Sequence, residues 1–369
     1  MTDEPRYKSA KYPFRVAVIT VLLVVMGALA AAISTTSAPV VSAHANVATS
    51  EPPANAELET APDQIVIWFT EPLEPALSKI EVFNAQGTRV DKADSLIDRI
   101  DSSVMSVSLG DLENGTYTVV WRNVSTVDGH RVRGSYIFSV GEPLGGAAPV
   151  ESSEQGLLQS PSEPVIRWLV LLGGLALVGG FGFHLLVLRP VLGSGDASAA
   201  VRDMLPRFEI LVARLMLLAV AVAVTASIAQ LLVQAAVVHD VSVADSFGDP
   251  VKTILSDTDW GRTWIWRIAL LGAAGVVTLI TLLAAHHNPQ QHGAHSGLLG
   301  YLPMVATVLG AGMLFTISWT SHGAATGGIE TPSIVSDFIH LLASSLWVGG
   351  VLIFAPILFL LKRQLADVN

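Results

Sequence analysis

Cysteine does not occur in this sequence, which removes disulfide frameworks, thiolate zinc sites and cysteine nucleophiles from consideration. Charge is scarce as well: 14% of residues are Asp, Glu, Lys or Arg, against about 25% in ordinary soluble proteins. Positive charge is scarcest, with 21 Lys and Arg against 31 Asp and Glu for a net of −10. The basic footprint that nucleic acid requires is therefore missing. No P-loop, dinucleotide fingerprint or Ser/His/Asp constellation is found, so the chain does not read as an enzyme and any transport must draw on a gradient or a partner. Soft sulfur is also thin, since Met105 is the one methionine in residues 44–163. A Met-rich soft-metal site is not expected there.

What is present is apolar length. Of 369 residues 51% are hydrophobic, and the mean hydropathy is +0.54, which points to a bilayer. The acidity is concentrated in residues 44–163, with 7 Lys and Arg against 18 Asp and Glu; this stretch reads as a solvated acidic domain that tolerates cations.

Residues 1–43 carry Arg6, Lys8, Lys11 and Arg15, then the apolar run Val16 to Ile33, then Val41-Ser42-Ala43. Those are the three parts of a secretory signal peptide, with cleavage expected after Ala43 so that His44 becomes the first residue. An uncleaved anchor helix is the alternative. From His44 to Gly141 the period is two: IVIWF, KIEVF, SVMSVSL, TYTVVWRNV and RGSYIFSV are short β-branched and aromatic runs between NA, QG, NG and DG turns. This spacing predicts an all-β, Ig-like or Greek-key antiparallel sandwich over 44–141. Residues 142–163, rich in Pro, Gly, Ser and Glu, read as a linker.

Residues 164–369 predict an all-α polytopic membrane domain with about five spans, near 165–188, 208–237, 264–285, 299–320 and 333–361. Arg189, Arg202 and Arg207 mark the first loop as cytoplasmic and Asp-rich 238–263 as external. Trp260, Trp264 and Trp266 are expected as an outer aromatic belt, and Arg167 and Arg267 as snorkelling side chains. His184, Gln230 and Gln234 read equally as path-lining residues or as helix contacts. His286, His287, His292 and His295 make either a weak cytoplasmic metal sink or an ordinary loop.

The segments HANVATSEPPANAEL, IVIWFTEPLEPALSKIEVF and LENGTYTVVWRNVSTVDGHRVRGSYIFSV resemble the CopC copper-resistance family over nearly the whole sandwich. SWTSHGAATGGIETPSIVSDFIHLLASSLWVGG resembles CopD, the polytopic partner often fused to CopC. CopD members usually carry more helices than five, so the chain reads as a shortened or truncated member. The resemblance implies a bacterial inner-membrane protein with its sandwich on the extracytoplasmic side. There Cu(II) would be held by His44, Asp128 and His130, with Glu71 either an accessory ligand or a group behind the ligands. An N-terminal histidine chelates through its free amine and Nδ1, and an amine of ordinary pKa near 8 loses its proton to a metal around neutral pH. Asp128 and His130, two apart, project on one face of an extended segment. Cu(II) suits such N,O ligation.

His322 and His340 then form a candidate copper path in the membrane, since ionisable groups at that depth are costly and functional by default. The oxidation state carried there, Cu(I) or Cu(II), is left open. Two functions follow: capture of Cu(II) with delivery to or import through the membrane domain, or anchored chelation or sensing without transport. Partners expected are copper, lipid and a copper reductase or other copper-homeostasis protein. A histidine-brace oxygenase is disfavoured, because Asp128 would close a coordination position that oxygen needs.

Overall fold

In the computed structural model, residues 45–145, 162–192, 204–287, 298–321 and 330–366 are described. The expected signal segment and cleavage point, His44, most of the expected linker, His292, His295 and His322 lie outside them.

The period-two runs form two four-stranded sheets. The first has the order β1 (Val47–Glu51), β3 (Gln64–Phe69), β6 (Val104–Ser108), β5 (Leu96–Ile97), and all its pairings are antiparallel. The second has β2 (Glu57–Leu58), β8 (Arg131–Val140), β7 (Gly115–Val124) and β4 (Lys79–Asn84). Its β2–β8 pairing is parallel, a departure from the wholly antiparallel expectation that two residues of edge pairing allow.

Alternation sends one face of each strand inward. Ile65, Ile67 and Phe69 of β3, Met105 and Val107 of β6, Ile80 and Val82 of β4, and Val119 and Phe138 meet in one core. Full burial of each such side chain contributes about 1.5–3 kcal/mol. Tyr117 stacks on Phe138 at 5.4 Å and donates its hydroxyl to the Glu113 carbonyl at 2.7 Å, so its polar end is satisfied at the core's edge.

Among the described residues five helices are long and apolar enough to cross a membrane: Glu163–Leu192, Leu205–His239, Asp259–His286, Leu299–Trp319 and Thr331–Lys362. As helical elements they are α1 (Glu163–Phe183), α2 (Leu205–His239), α4 (Asp259–His287), α5 (Leu302–Trp319) and α6 (Glu330–Ala366). A π-helical turn, His184–Leu188, prolongs α1. The starts of α1, α2 and α5 carry proline in the first helical turn, where its missing N–H costs nothing. α1 is the most buried of the five. At its centre Gly179 and Gly349 let α1 and α6 nearly touch, since a Cβ on Gly179 would fall on the Ser345 carbonyl oxygen. The expected external loop 238–263 contains a further amphipathic helix, α3 (Asp249–Asp257), which buries Ile254.

The sandwich and the helices belong to one compact unit. Leu77 and Val124 of the sandwich pack with Leu231, Ala235, Val238, Ile254, Trp260 and Trp264. Trp260 and Trp264 are thus buried contacts rather than belt residues, and Trp264 donates Nε1–H to the Ser227 carbonyl at 2.8 Å. Trp266 alone of the three is exposed. Arg131 donates to the Val237 carbonyl at 2.6 Å, and Arg133 pairs with Asp240 at 3.0 Å. That contact holds the Asp240 carboxyl below its usual range.

Candidate metal centre

The loop between β7 and β8 is closed by its own backbone. Ser125 N–H donates to the His130 carbonyl at 3.0 Å, and Gly129 N–H to the Ser125 carbonyl at 3.1 Å. Gly129 takes the left-handed conformation, with φ at +72°, and a Cβ there would meet Trp260 and Gln234 at about 3 Å. Glycine is the residue that fits both demands.

This turn brings Asp128 and His130 together. Asp128 Oδ1 accepts the His130 backbone N–H at 2.9 Å, and Oδ2 lies 2.6 Å from His130 Nδ1. Arg167 Nη2 reaches His130 Nε2 at 3.2 Å. Because a guanidinium can only donate, Nε2 must accept and Nδ1 carries the proton toward Asp128. Asp128 therefore fixes the ring, as carboxylates fix metal-binding imidazoles, and leaves the Nε2 lone pair pointing at Arg167. Arg167 in turn pairs with Glu163 at 2.7 Å, so it is tied at the start of α1 instead of snorkelling.

Glu71 is buried beside this turn, where its Oε2 accepts the Ser125 hydroxyl at 2.6 Å. In this geometry it braces the base of the loop. Ala45, the residue after His44, is fully buried, and its carbonyl accepts Asn123 Nδ2–H at 2.8 Å. Asn46 N–H donates to Thr70 Oγ1 at 3.0 Å, and Thr70 N–H returns to the Asn46 carbonyl at 2.9 Å. The chain just after position 44 is thus pinned between Thr70, next to Glu71, and Asn123, two residues before Ser125. Asn123, Ser125 and Thr70 escaped sequence reasoning; their only signal is their placement at strand ends flanking candidate ligands. Among the described residues no three His, Asp or Glu side chains gather as a metal cluster, His44 being outside them.

The loop sits on the helices. Gln234 Nε2–H donates to the Gly129 carbonyl at 2.5 Å, which makes Gln234 a docking residue. Glu74 Oε1 accepts the Asp259 N–H at the start of α4, at 2.7 Å; burial pushes its carboxyl up to about 7. Below Asp128 a cavity of about 380 Å³ is lined by Arg167, Gln230, Trp260, Arg267 and Thr320 among others. Arg267 is 3% exposed and not a snorkelling side chain. His340 is exposed on α6, 3.5 Å from Ser344 Oγ, and the structure does not bring it to the loop. His184 is buried 3.9 Å from Glu209, and His286 faces outward beside Arg214.

Residues 47–141 match the CopC domain family and residues 159–332 match the family described as copper resistance protein D-like, N-terminal domain. The chain is 28% identical over 328 residues to the "Copper transport protein CutJ" of Bacillus subtilis (strain 168), covering 87% of this chain and 54% of that protein. It therefore spans about half of that relative's length. It is 39% identical over 114 residues to "Protein YobA" of Escherichia coli (strain K12), covering 30% of this chain and 91% of YobA. Among solved structures, CopC from Methylosinus trichosporium OB3b is 26% identical, over 28% of this chain and 100% of its own, with a TM-score of 0.24.

Proposed function

The chain belongs to the CopC/CopD copper-resistance family, and from that membership we propose that it captures Cu(II) on the extracytoplasmic side and delivers it to its own membrane domain. In this reading the signal is removed after Ala43. His44 contributes its amine and Nδ1, His130 contributes Nε2, and Asp128 serves as ligand or ring-orienting group, with Glu71 behind the loop. Arg167 must yield Nε2 as the metal enters. The observation that carries the reading is the Asp128–His130 pair, held at 2.6 Å in a turn seated on the helical domain. Pinning of Ala45 by Asn123 supports it, because it keeps a new N-terminus from wandering. His322 and His340 remain the candidate path in the membrane.

Anchored chelation or sensing is the second reading, and one observation favours it: the cavity beneath Asp128 ends on a guanidinium, Arg267, which repels a bare copper cation. Two measurements test the pair. Mass spectrometry of the mature chain should give a start at His44, and Cu(II) titration followed by electron paramagnetic resonance should lose about 100-fold in affinity in Asp128→Ala or His130→Ala. An intact Met1, or affinity untouched by both substitutions, removes the site. Cellular copper unchanged by loss of the protein at limiting copper removes delivery and leaves the second reading.

A further inference from the structure

We propose that the cavity between the Ser125–His130 turn and the helices is a binding site for a small anion, with Arg267 as its fixed countercharge. Two arginines are buried among the described residues, Arg131 and Arg267. Arg131 has a carboxylate, Asp240, 3.7 Å away. Among the described residues Arg267 has none within ion-pair distance. Its donors go to neutral oxygens alone: Thr316 Oγ1 at 3.1 Å, Gln230 Oε1 at 3.2 Å, the Thr316 carbonyl at 3.3 Å and Thr320 Oγ1 at 3.4 Å. A guanidinium cannot shed its charge at physiological pH, and a buried charge without a countercharge is strongly disfavoured.

The setting fits an anion rather than a cation. Arg167 lines the same cavity as Arg267. The two carboxylates nearby are already engaged: Glu163 holds Arg167, and both oxygens of Asp128 are turned to His130. Among the described residues no carboxylate therefore reaches the Arg267 guanidinium at the floor, eight residues into α4 and roughly 12 Å from its start. At 380 Å³ the space holds a halide or small carboxylate with several waters, each of which takes about 30 Å³. Arg267 still has hydrogen-bonding directions to offer: its bonds to Gln230 and to Thr320 are long, at 3.2 and 3.4 Å, and an anion would compete for them.

The test uses the purified full-length chain in detergent with a metal chelator, so that its outcome is separate from copper binding. Chloride, bromide or formate replaces gluconate, a larger anion, at constant ionic strength, and melting is followed by tryptophan fluorescence. The expected result is a saturable rise in Tm. A response to halides and formate alike marks a general small-anion site, and a response to formate alone marks a carboxylate site. Arg267→Gln should abolish the response, and Arg267→Lys should keep it with half-saturation raised about tenfold. If Arg267→Gln does not fold, Arg167→Gln serves as the second variant, with half-saturation raised severalfold. A wild-type chain indifferent to all three anions overturns the proposal, as does half-saturation unchanged in the Arg267 variants or, where Arg267→Gln does not fold, in Arg167→Gln.

Discussion

Asp128 and Arg267 line the same cavity, yet the groups that hold them come from very different distances along the chain. Asp128 is held by His130, two residues on, inside a turn closed by its own backbone. Arg267 is held by Gln230 of α2 and by Thr316 and Thr320 at the end of α5, so its surroundings exist only when three helices are assembled. The loop side is thus a local construction carried by the sandwich, whereas the cavity floor is a tertiary one. Damage to the bundle should empty the floor of meaning and leave the loop's chemistry in place.

Gly179 offers the strongest way to break that contrast. A side chain there collides with the Ser345 carbonyl and with Gly349, so α1 and α6 must separate. Gly179→Leu is expected to cost on the order of 3 kcal/mol or more, seen as a collapse of the full chain's melting transition in detergent. The Cu(II) resonance spectrum of the same preparation should keep its wild-type parameters. Loss of that spectrum together with the bundle would mean that the turn depends on the helices after all.

Glu74 joins the two regions and gives a smaller, pH-dependent effect. Its carboxyl, on the sandwich side, accepts the first N–H of α4, and burial raises it from 4.5 to about 7. A folded-state pKa above the unfolded value favours the protonated form in the docked state. The stability linked to it is present below about 4.5 and is lost as pH rises through about 7. Glu74→Gln, which stays neutral, should flatten this dependence, a change of about 2 kcal/mol across the window. Melting of the full chain between pH 4.5 and 8 measures it. A wild-type chain whose stability rises with pH over that range would contradict the assignment.

The same division governs how much could be read from the sequence. β3, β4, β6, β7 and β8 follow from runs such as QIVIWF and KIEVF because alternation writes the core face directly into the order of residues. The membrane helices follow from apolar length. The loop pair Asp128 and His130 was legible because its two members are neighbours in the chain. What was not legible depends on distant partners. α4 begins at Asp259, ahead of the apolar run, because Glu74, far off in sequence, takes its first free N–H. Trp260 and Trp264 are buried because a sandwich lies on them, and Arg267 turns inward because Thr316 and Gln230 wait there. None of these has a local pattern. The family resemblance supplied the metal; the residues' spacing by itself would have left an ordinary DG turn.

Asn123→Ala is the smallest and most pointed test of the local side. Asn123 is fully buried, and its Nδ2–H is the group that holds the Ala45 carbonyl at 2.8 Å. Truncation leaves that carbonyl without this donor, at a cost of about 1 kcal/mol, and frees the segment that follows His44. If the N-terminal histidine is a ligand held in place by this bond, Cu(II) affinity should fall about tenfold, while the spectrum keeps its type because no ligand has been removed. A fall as deep as that of His130→Ala would make Asn123 part of the coordination itself. An affinity equal to wild type would show that the order of the chain after position 44 does not matter to the metal, and the case for His44 would then rest on the mature N-terminus alone.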